Sequence, residues 1–184
     1  MKYNLFVKGI VLLLSTILIA TSCKKDNPPQ EQLPPETHTG AYTFGCKVDG
    51  KIYTASGKGG LLSNQFVNYS FYSDTSIYIS VGNTVSKFNL DLTIKYTGVL
   101  GLHYTSLYPY EGIFKDNSNG TIPGNSNTYN TNNSLRATVN IKYFNGSIIP
   151  LYSGAILSGT FEMDAINGNG KVIHITEGRF DIGH

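Results

Sequence analysis

The sequence predicts an all-β domain, an antiparallel sandwich or flattened barrel of about eight strands. Three observations carry this. Apolar and polar residues alternate with a period of two in several separate runs, turn-forming pairs fall between the runs, and helical periodicity is nearly absent. The alternation also argues against a parallel sheet, whose strands are buried on both faces and read as unbroken apolar runs.

In chain order, Phe44 and Cys46 share one side of a strand near 42–48, and Asp49-Gly50 turns the chain into a second strand near 51–55. A strand near 65–73 follows. Ile77, Ile79 and Val81 mark the next, near 76–82, between turns at Asp74-Thr75 and Gly82-Asn83. The clearest alternation comes near 86–97, where Phe88, Leu90, Leu92, Ile94 and Tyr96 interleave with Asn89, Asp91, Thr93 and Lys95. One face of such a strand meets a core and the other meets water. Ala137, Val139, Ile141 and Tyr143 alternate with Thr138, Asn140 and Lys142 near 135–144, and Asn145-Gly146 supplies the turn after them. Leu157, Gly159, Phe161, Met163 and Ala165 alternate with Ser158, Thr160, Glu162 and Asp164 near 154–166. Asn167 to Gly170 leads into a last strand near 171–182, whose Phe180 and Ile182 point to the core.

Two stretches lack periodicity. Gly98 to Phe114, rich in Leu, Tyr and a single Pro, predicts a loop packing aromatics over one end of the sheets. Asp116 to Ser134 is dominated by Asn, Ser, Thr and Gly and exceeds ordinary connection lengths, which predicts a mobile flap.

The N-terminus carries a different signal. Lys2 and Lys8 flank a short positive region, an apolar run follows from Ile10 to Ala20, and Ala20-Thr21-Ser22 precede Cys23. That run is shorter than the roughly 20 residues a membrane span needs and has the form of a secretory signal. A cysteine directly after the small residues resembles a bacterial lipobox, so residues 1–22 are expected to be a lipoprotein signal peptide and Cys23 the acylated residue. Diacylglycerol and an amide-linked palmitate-type chain would hold the protein to a membrane, because more than one chain makes anchoring stable. Residues 23–40, with prolines at 28, 29, 34 and 35, read as a lipidated cysteine and an extended tether, and residues 41–184 as one domain. Lys24-Lys25-Asp26 resembles the export signals that place lipoproteins of Bacteroidota on the cell surface, so an outer-membrane position facing outward is favoured over one facing the periplasm.

Without residues 1–22, which hold two of the 14 basic residues and no acid, 12 basic residues face 12 acidic ones. A neutral chain is not built to bind nucleic acid. With Cys23 acylated, Cys46 is the one remaining thiol, so no internal disulfide forms, and its alternation with Phe44 predicts a buried structural thiol.

Phe44-Gly45-Cys46-Lys47-Val48-Asp49-Gly50-Lys51, Leu157-Ser158-Gly159-Thr160-Phe161-Glu162 and Thr176-Glu177-Gly178-Arg179-Phe180-Asp181-Ile182 resemble a family of small Bacteroidota lipoproteins known only as a domain of unknown function. The resemblance covers both ends of the domain and not its middle. It implies an all-β lipoprotein domain and brings no catalytic residues. Read physically, Asp49-Gly50 turns a hairpin, Gly159 sits where a side chain would crowd a neighbour, Gly178 permits a bulge, and Arg179 pairs with Glu162 or Asp164 across strands.

Chemistry-bearing motifs are few. The sequence has no Gly-x-Ser-x-Gly elbow, phosphate-binding loop, His-Glu-x-x-His helix or Cys-x-x-Cys pair. His38, His103, His174 and His184 are scattered, so neither a metal site nor a cofactor is expected. Glu162 and Asp164 point the same way along a strand, as paired acids in glycoside hydrolysis would, but surface acids do the same. Thirteen tyrosines without a tryptophan weaken a carbohydrate-stacking reading, although exposed Tyr stacks on sugars and peptides alike. His103, Tyr104, Tyr108, Tyr110 and Tyr129, in the two aperiodic stretches, are the candidate ligand contacts. The expected function is a non-enzymatic, membrane-anchored domain that binds a glycan or protein ligand. A structural or accessory subunit of an outer-membrane complex is the alternative, and an enzyme such as a glycoside hydrolase ranks third.

Overall fold

The computed structural model describes residues 32–73, 76–95, 100–104, 112–116, 127–131, 134–145 and 154–183. Their strands are β1 (Thr43–Val48), β2 (Lys51–Ser56), β3 (Gln65–Ser73), β4 (Ser76–Asn83), β5 (Phe88–Lys95), β6 (Gly101–Tyr104), β7 (Ile113–Asp116), β8 (Thr128–Asn130), β9 (Ala137–Phe144), β10 (Ile156–Asn167) and β11 (Val172–Gly183). The alternating runs fold as the antiparallel strands they predict. Asp49 and Gly50, both at positive φ (48° and 84°), make the tight β1–β2 turn that a right-twisted hairpin favours.

The sheet runs β2-β1-β11-β10-β8-β7-β5-β4-β3, with β9 and β6 branching from β10. One gap is therefore filled twice. Leu157 to Met163 of β10 pair with β9, whereas Ile166 and Asn167 pair with β8. Across the gap, β7 takes Phe88 to Asp91 of β5, and β6, paired to β9, also comes near that strand. Two short strand pairs stacked end to end thus replace one long pair. The outer strands then approach each other: Val67 N donates to Gly57 O at 2.9 Å, and Asn83 Nδ2 donates to Thr54 O at 2.8 Å. The result is a nearly closed barrel.

Its interior is filled by side chains. Phe44 stacks on Phe161 at 5.5 Å, and Tyr53 sets its edge against Phe88 at 5.2 Å and Phe114 at 5.3 Å. Phe161, Phe180 and Ile182 are all buried, as their alternation predicts. Each fully buried side chain of this size contributes about 1.5–3 kcal/mol through removal of apolar surface from water. Cys46 is buried and free among them, and burial pushes its thiol far up.

Two β-bulges set which residues face in. Gly45 pairs with Arg179 but Lys47 pairs with Thr176, so β11 carries one extra residue at Glu177-Gly178, with Glu177 at φ 51°. Ile173 and Ile175 before the bulge, and Phe180 and Ile182 after it, consequently all reach the core. In β9, Tyr143 pairs with Ser158 but Ile141 with Gly159, which leaves Lys142 as the extra residue. Tyr143, expected on the apolar face, is turned outward, and Phe144 packs against the core instead.

The aperiodic stretches are more regular than expected. Gly98 to Phe114 contains β6 and the start of β7, and Asp116 to Ser134 contains β8. Both are short, and single short strands give too few alternations to read. The remainder of the expected flap, residues 117–126 and 132–133, lies outside the described residues.

Candidate functional site

Residues 32–40, expected as part of the tether, pack with the residues after them in one compact unit, Gln32–His184. Residues 32–40 form a strap across the outer face of β1, β11, β10 and β9. The expected tether is proline-rich and polar, yet its second half is held at both ends and in the middle. Arg179 Nη1 donates to Pro34 O at 3.3 Å, and Pro34 lies over Gly45, where an added Cβ would overlap the proline ring. Glu36 pairs with Lys142, whose ammonium holds its carboxyl below the usual range. His38 Nδ1 meets Ser158 Oγ at 2.5 Å, and its ring stacks on Tyr143 at 5.9 Å, the residue the β9 bulge turned outward.

The strap ends on Asp181, a carboxylate only 1% exposed. Thr37 Oγ1 donates to it at 2.6 Å, Thr39 N at 3.0 Å and Gly40 N at 2.8 Å. Burial, the largest single influence, pushes this carboxyl up. The hydrogen bonds from Thr37, Thr39, Gly40 and Ala41 together outweigh it, so the pKa lies below its ordinary 3.8.

Beside the strap is a cleft of about 390 Å³. Thr138, Asn140, Thr160 and Glu162 of β9 and β10 form its floor, the Glu177-Gly178 bulge and Arg179 one side, and Glu36 with Lys142 the other. Strand register explains the floor. Asn140 lies opposite Thr160, which lies opposite Arg179, and Thr138 lies opposite Glu162, so one row of outward side chains crosses three strands and a second crosses two. Gly159, in the next position of β10, lets β9 come close: a Cβ there would collide with Asn140 O. The cleft's acids are paired, Glu162 with Arg136 at 3.1 Å and Glu177 with Lys47 at 2.5 Å. Asp164 pairs with His174 at 2.8 Å. Arg179 does not reach Glu162 or Asp164, the partners expected from sequence, but lies 4.0 Å from Glu177 and bonds the strap. The bulge and the strap rather than cross-strand pairing determine its direction.

Of the candidate contacts read from sequence, Tyr129, His103 and Tyr104 fall on described strands. Tyr129 belongs to the core, 8% exposed and packed on Phe114 at 6.4 Å. His103 and Tyr104 lie on β6, paired with Val139 and Thr138 of β9. Tyr108, Tyr110 and Cys23 lie outside the described residues. Among the described residues no three His, Cys, Asp or Glu side chains gather as metal ligands would. The cleft escaped sequence reading because half of it depends on two bulges and a strap. Only the outward residues of β9 and β10 carried a visible signal.

No family model, curated protein or solved structure matches this chain.

Proposed function

We propose that this protein is a lipoprotein of the cell envelope, acylated on Cys23 and displayed at the outer membrane. Its barrel binds a hydroxyl-rich ligand, a glycan, in the cleft beside the strap, without carrying out chemistry on it. The observation that supports this is the composition of the cleft. Glu162 and Glu177 accept hydrogen bonds, Arg179 and Lys142 donate them, and Thr138, Asn140 and Thr160 do both. A sugar hydroxyl donates and accepts at once, so such a mixture matches it, whereas a flat apolar patch would suit a protein partner. Among the described residues that line the cleft, the one aromatic is the buried Phe161, which favours recognition by hydrogen bonds over stacking. Glu162 and Glu177 are held by Arg136 and Lys47, which suits them to accept hydrogen bonds from a bound hydroxyl.

Two experiments test the two halves. Metabolic labelling with an alkynyl fatty acid should mark the wild-type chain and not Cys23→Ser, and persisting label on the variant would exclude Cys23 as the anchor. A glycan array should give a hit with the wild type that Thr160→Trp, which fills the cleft, abolishes. Unchanged binding by that variant would place the ligand elsewhere.

A further inference from the structure

At one end of the barrel, two turns place large apolar side chains where turns normally carry Gly, Pro, Asn, Asp or Ser. Between β2 and β3, Ser63 N donates to Gly60 O at 3.0 Å, which puts Leu61 and Leu62 at the two corner positions of a hydrogen-bonded turn. They are 103% and 94% exposed. Between β4 and β5, Asn83 Oδ1 accepts from Val85 N at 2.9 Å and Ser86 N at 3.0 Å, and Val85 at that corner is 70% exposed. The turns are fastened together, since Thr84 N donates to Asn64 O at 2.8 Å. Three isolated apolar residues would need no explanation, but these share one tip. Residues 57–64 and 84–87 hold two lysines, Lys58 and Lys87, and no acid.

We infer that this tip is a membrane-contact surface: Leu61, Leu62 and Val85 enter the lipid interface while Lys87, and Lys58 from its place over the Tyr42 ring at 4.7 Å, lie at the level of its anionic headgroups. Apolar side chains flanked by lysines hold proteins at such an interface. The occupant follows from the length of chain before the strap. Cys23 precedes Gln32 by nine residues, which span at most about 30 Å. Pro34 sits over Gly45, two residues along β1 from Thr43 at the tip end, or about 7 Å. A bilayer holding Cys23 is thus within reach of the tip. The inference rests on the lipid-anchored reading, and through it the tip docks the barrel on the same membrane that carries its anchor.

The chain has no tryptophan, so Leu62→Trp gives a single fluorescent probe at the tip, and Asn169→Trp gives one in the exposed turn between β10 and β11 at the opposite end. Each full chain, purified from membranes, is reconstituted in vesicles of phosphatidylethanolamine and phosphatidylglycerol with brominated acyl chains. The expected result is a blue-shifted emission at position 62 that brominated lipid largely quenches, and an unshifted, unquenched emission at 169. Equal, water-like emission from both overturns the inference. So does a blue shift at 62 that bromine leaves intact, which with a doubled mass on sizing would identify a second copy as the occupant. Failure of the anchor is read separately by the fatty-acid label. Where that label is absent, coupling Cys23 to a maleimide-headgroup lipid supplies the anchor, and the same two emissions decide the tip.

Discussion

Asp181→Ala removes the acceptor on which the last residues of the strap converge. Thr37 Oγ1, Thr39 N and Gly40 N lose a charged partner at 2.6, 3.0 and 2.8 Å, and Thr39 Oγ1 a weaker one at 3.3 Å. A hydrogen bond to a charged group contributes about 1.5–3 kcal/mol, but a released strap regains water for its donors. The expected net cost is therefore that of one or two such bonds, about 3 kcal/mol. With a urea dependence of about 2 kcal/mol per molar, the unfolding midpoint should fall by about 1.5 M. Asp181→Asn keeps an acceptor without the charge and should lie between the two. The pH dependence provides a second reading. Because the folded carboxyl lies below its unfolded value, its contribution is complete above about pH 4 and is lost as the pH falls through the lowered value. The wild type should therefore lose stability to acid more steeply than Asp181→Asn, with the two converging as the pH falls through that lowered value. An Asp181→Ala midpoint equal to wild type at neutral pH, or parallel acid profiles for wild type and Asp181→Asn, would refute the role assigned to this carboxylate.

Three further outcomes are expected. A chain starting at Ala41 should unfold at lower urea than one starting at Gln32, since it lacks Thr37, His38 and the cover over Gly45; coincident melts would mean that the strap adds nothing. Phe161→Ala, which removes a ring packed on both Phe44 and Phe180, should cost about 3–5 kcal/mol, against under about 0.5 for exposed Lys95→Ala, measured by urea midpoints. Gly159→Ala should cost about 2–3 kcal/mol despite adding only a methyl group, because the obstacle is the Asn140 carbonyl and not a side chain that can rotate; a neutral result would show that β9 and β10 can separate there freely.

How far the sequence could be read follows the length of each alternating run. The long strands β5 and β10 show four or more alternations and β11 two shorter runs, and the positions of all three were legible to within a residue or two. β6, β7 and β8, with 4, 4 and 3 residues, carry one or two alternations each, no more than chance supplies in a loop. The bulges are the other limit. Alternation gives a face only as long as the count is unbroken, and one extra residue inverts it, as it does for Tyr143. In β11 the inversion is visible in retrospect, because the apolar residues fall at 173 and 175 and then at 180 and 182. That change from odd to even positions, with Gly178 at the break, is the signal of a bulge inside the strand. The strap had no comparable signal, because its attachment is made by Thr, Glu and His side chains, backbone amides and a carbonyl, with Pro34 laid over Gly45, rather than by an alternating apolar run.

The strap joins the site to the stability of the domain. Glu36 forms one wall of the cleft only while Pro34 is held by Arg179 on one side and residues 37–40 by Asp181 on the other. Arg179 both lines the cleft and binds the strap, and Asp181 follows it two residues later on the outward side of β11. A ligand that engages Glu36 or Arg179 therefore binds the strapped form in preference to the unstrapped one. It stabilises that form by an amount set by its concentration over its dissociation constant. The converse holds by the same linkage: a substitution that frees the strap lowers ligand affinity without touching the cleft floor. The bulge at Glu177-Gly178 is what permits this arrangement. It puts Arg179 and Asp181 on the outer face while leaving Ile175 and Phe180 in the core, so one strand supports the barrel interior, the cleft and the latch together.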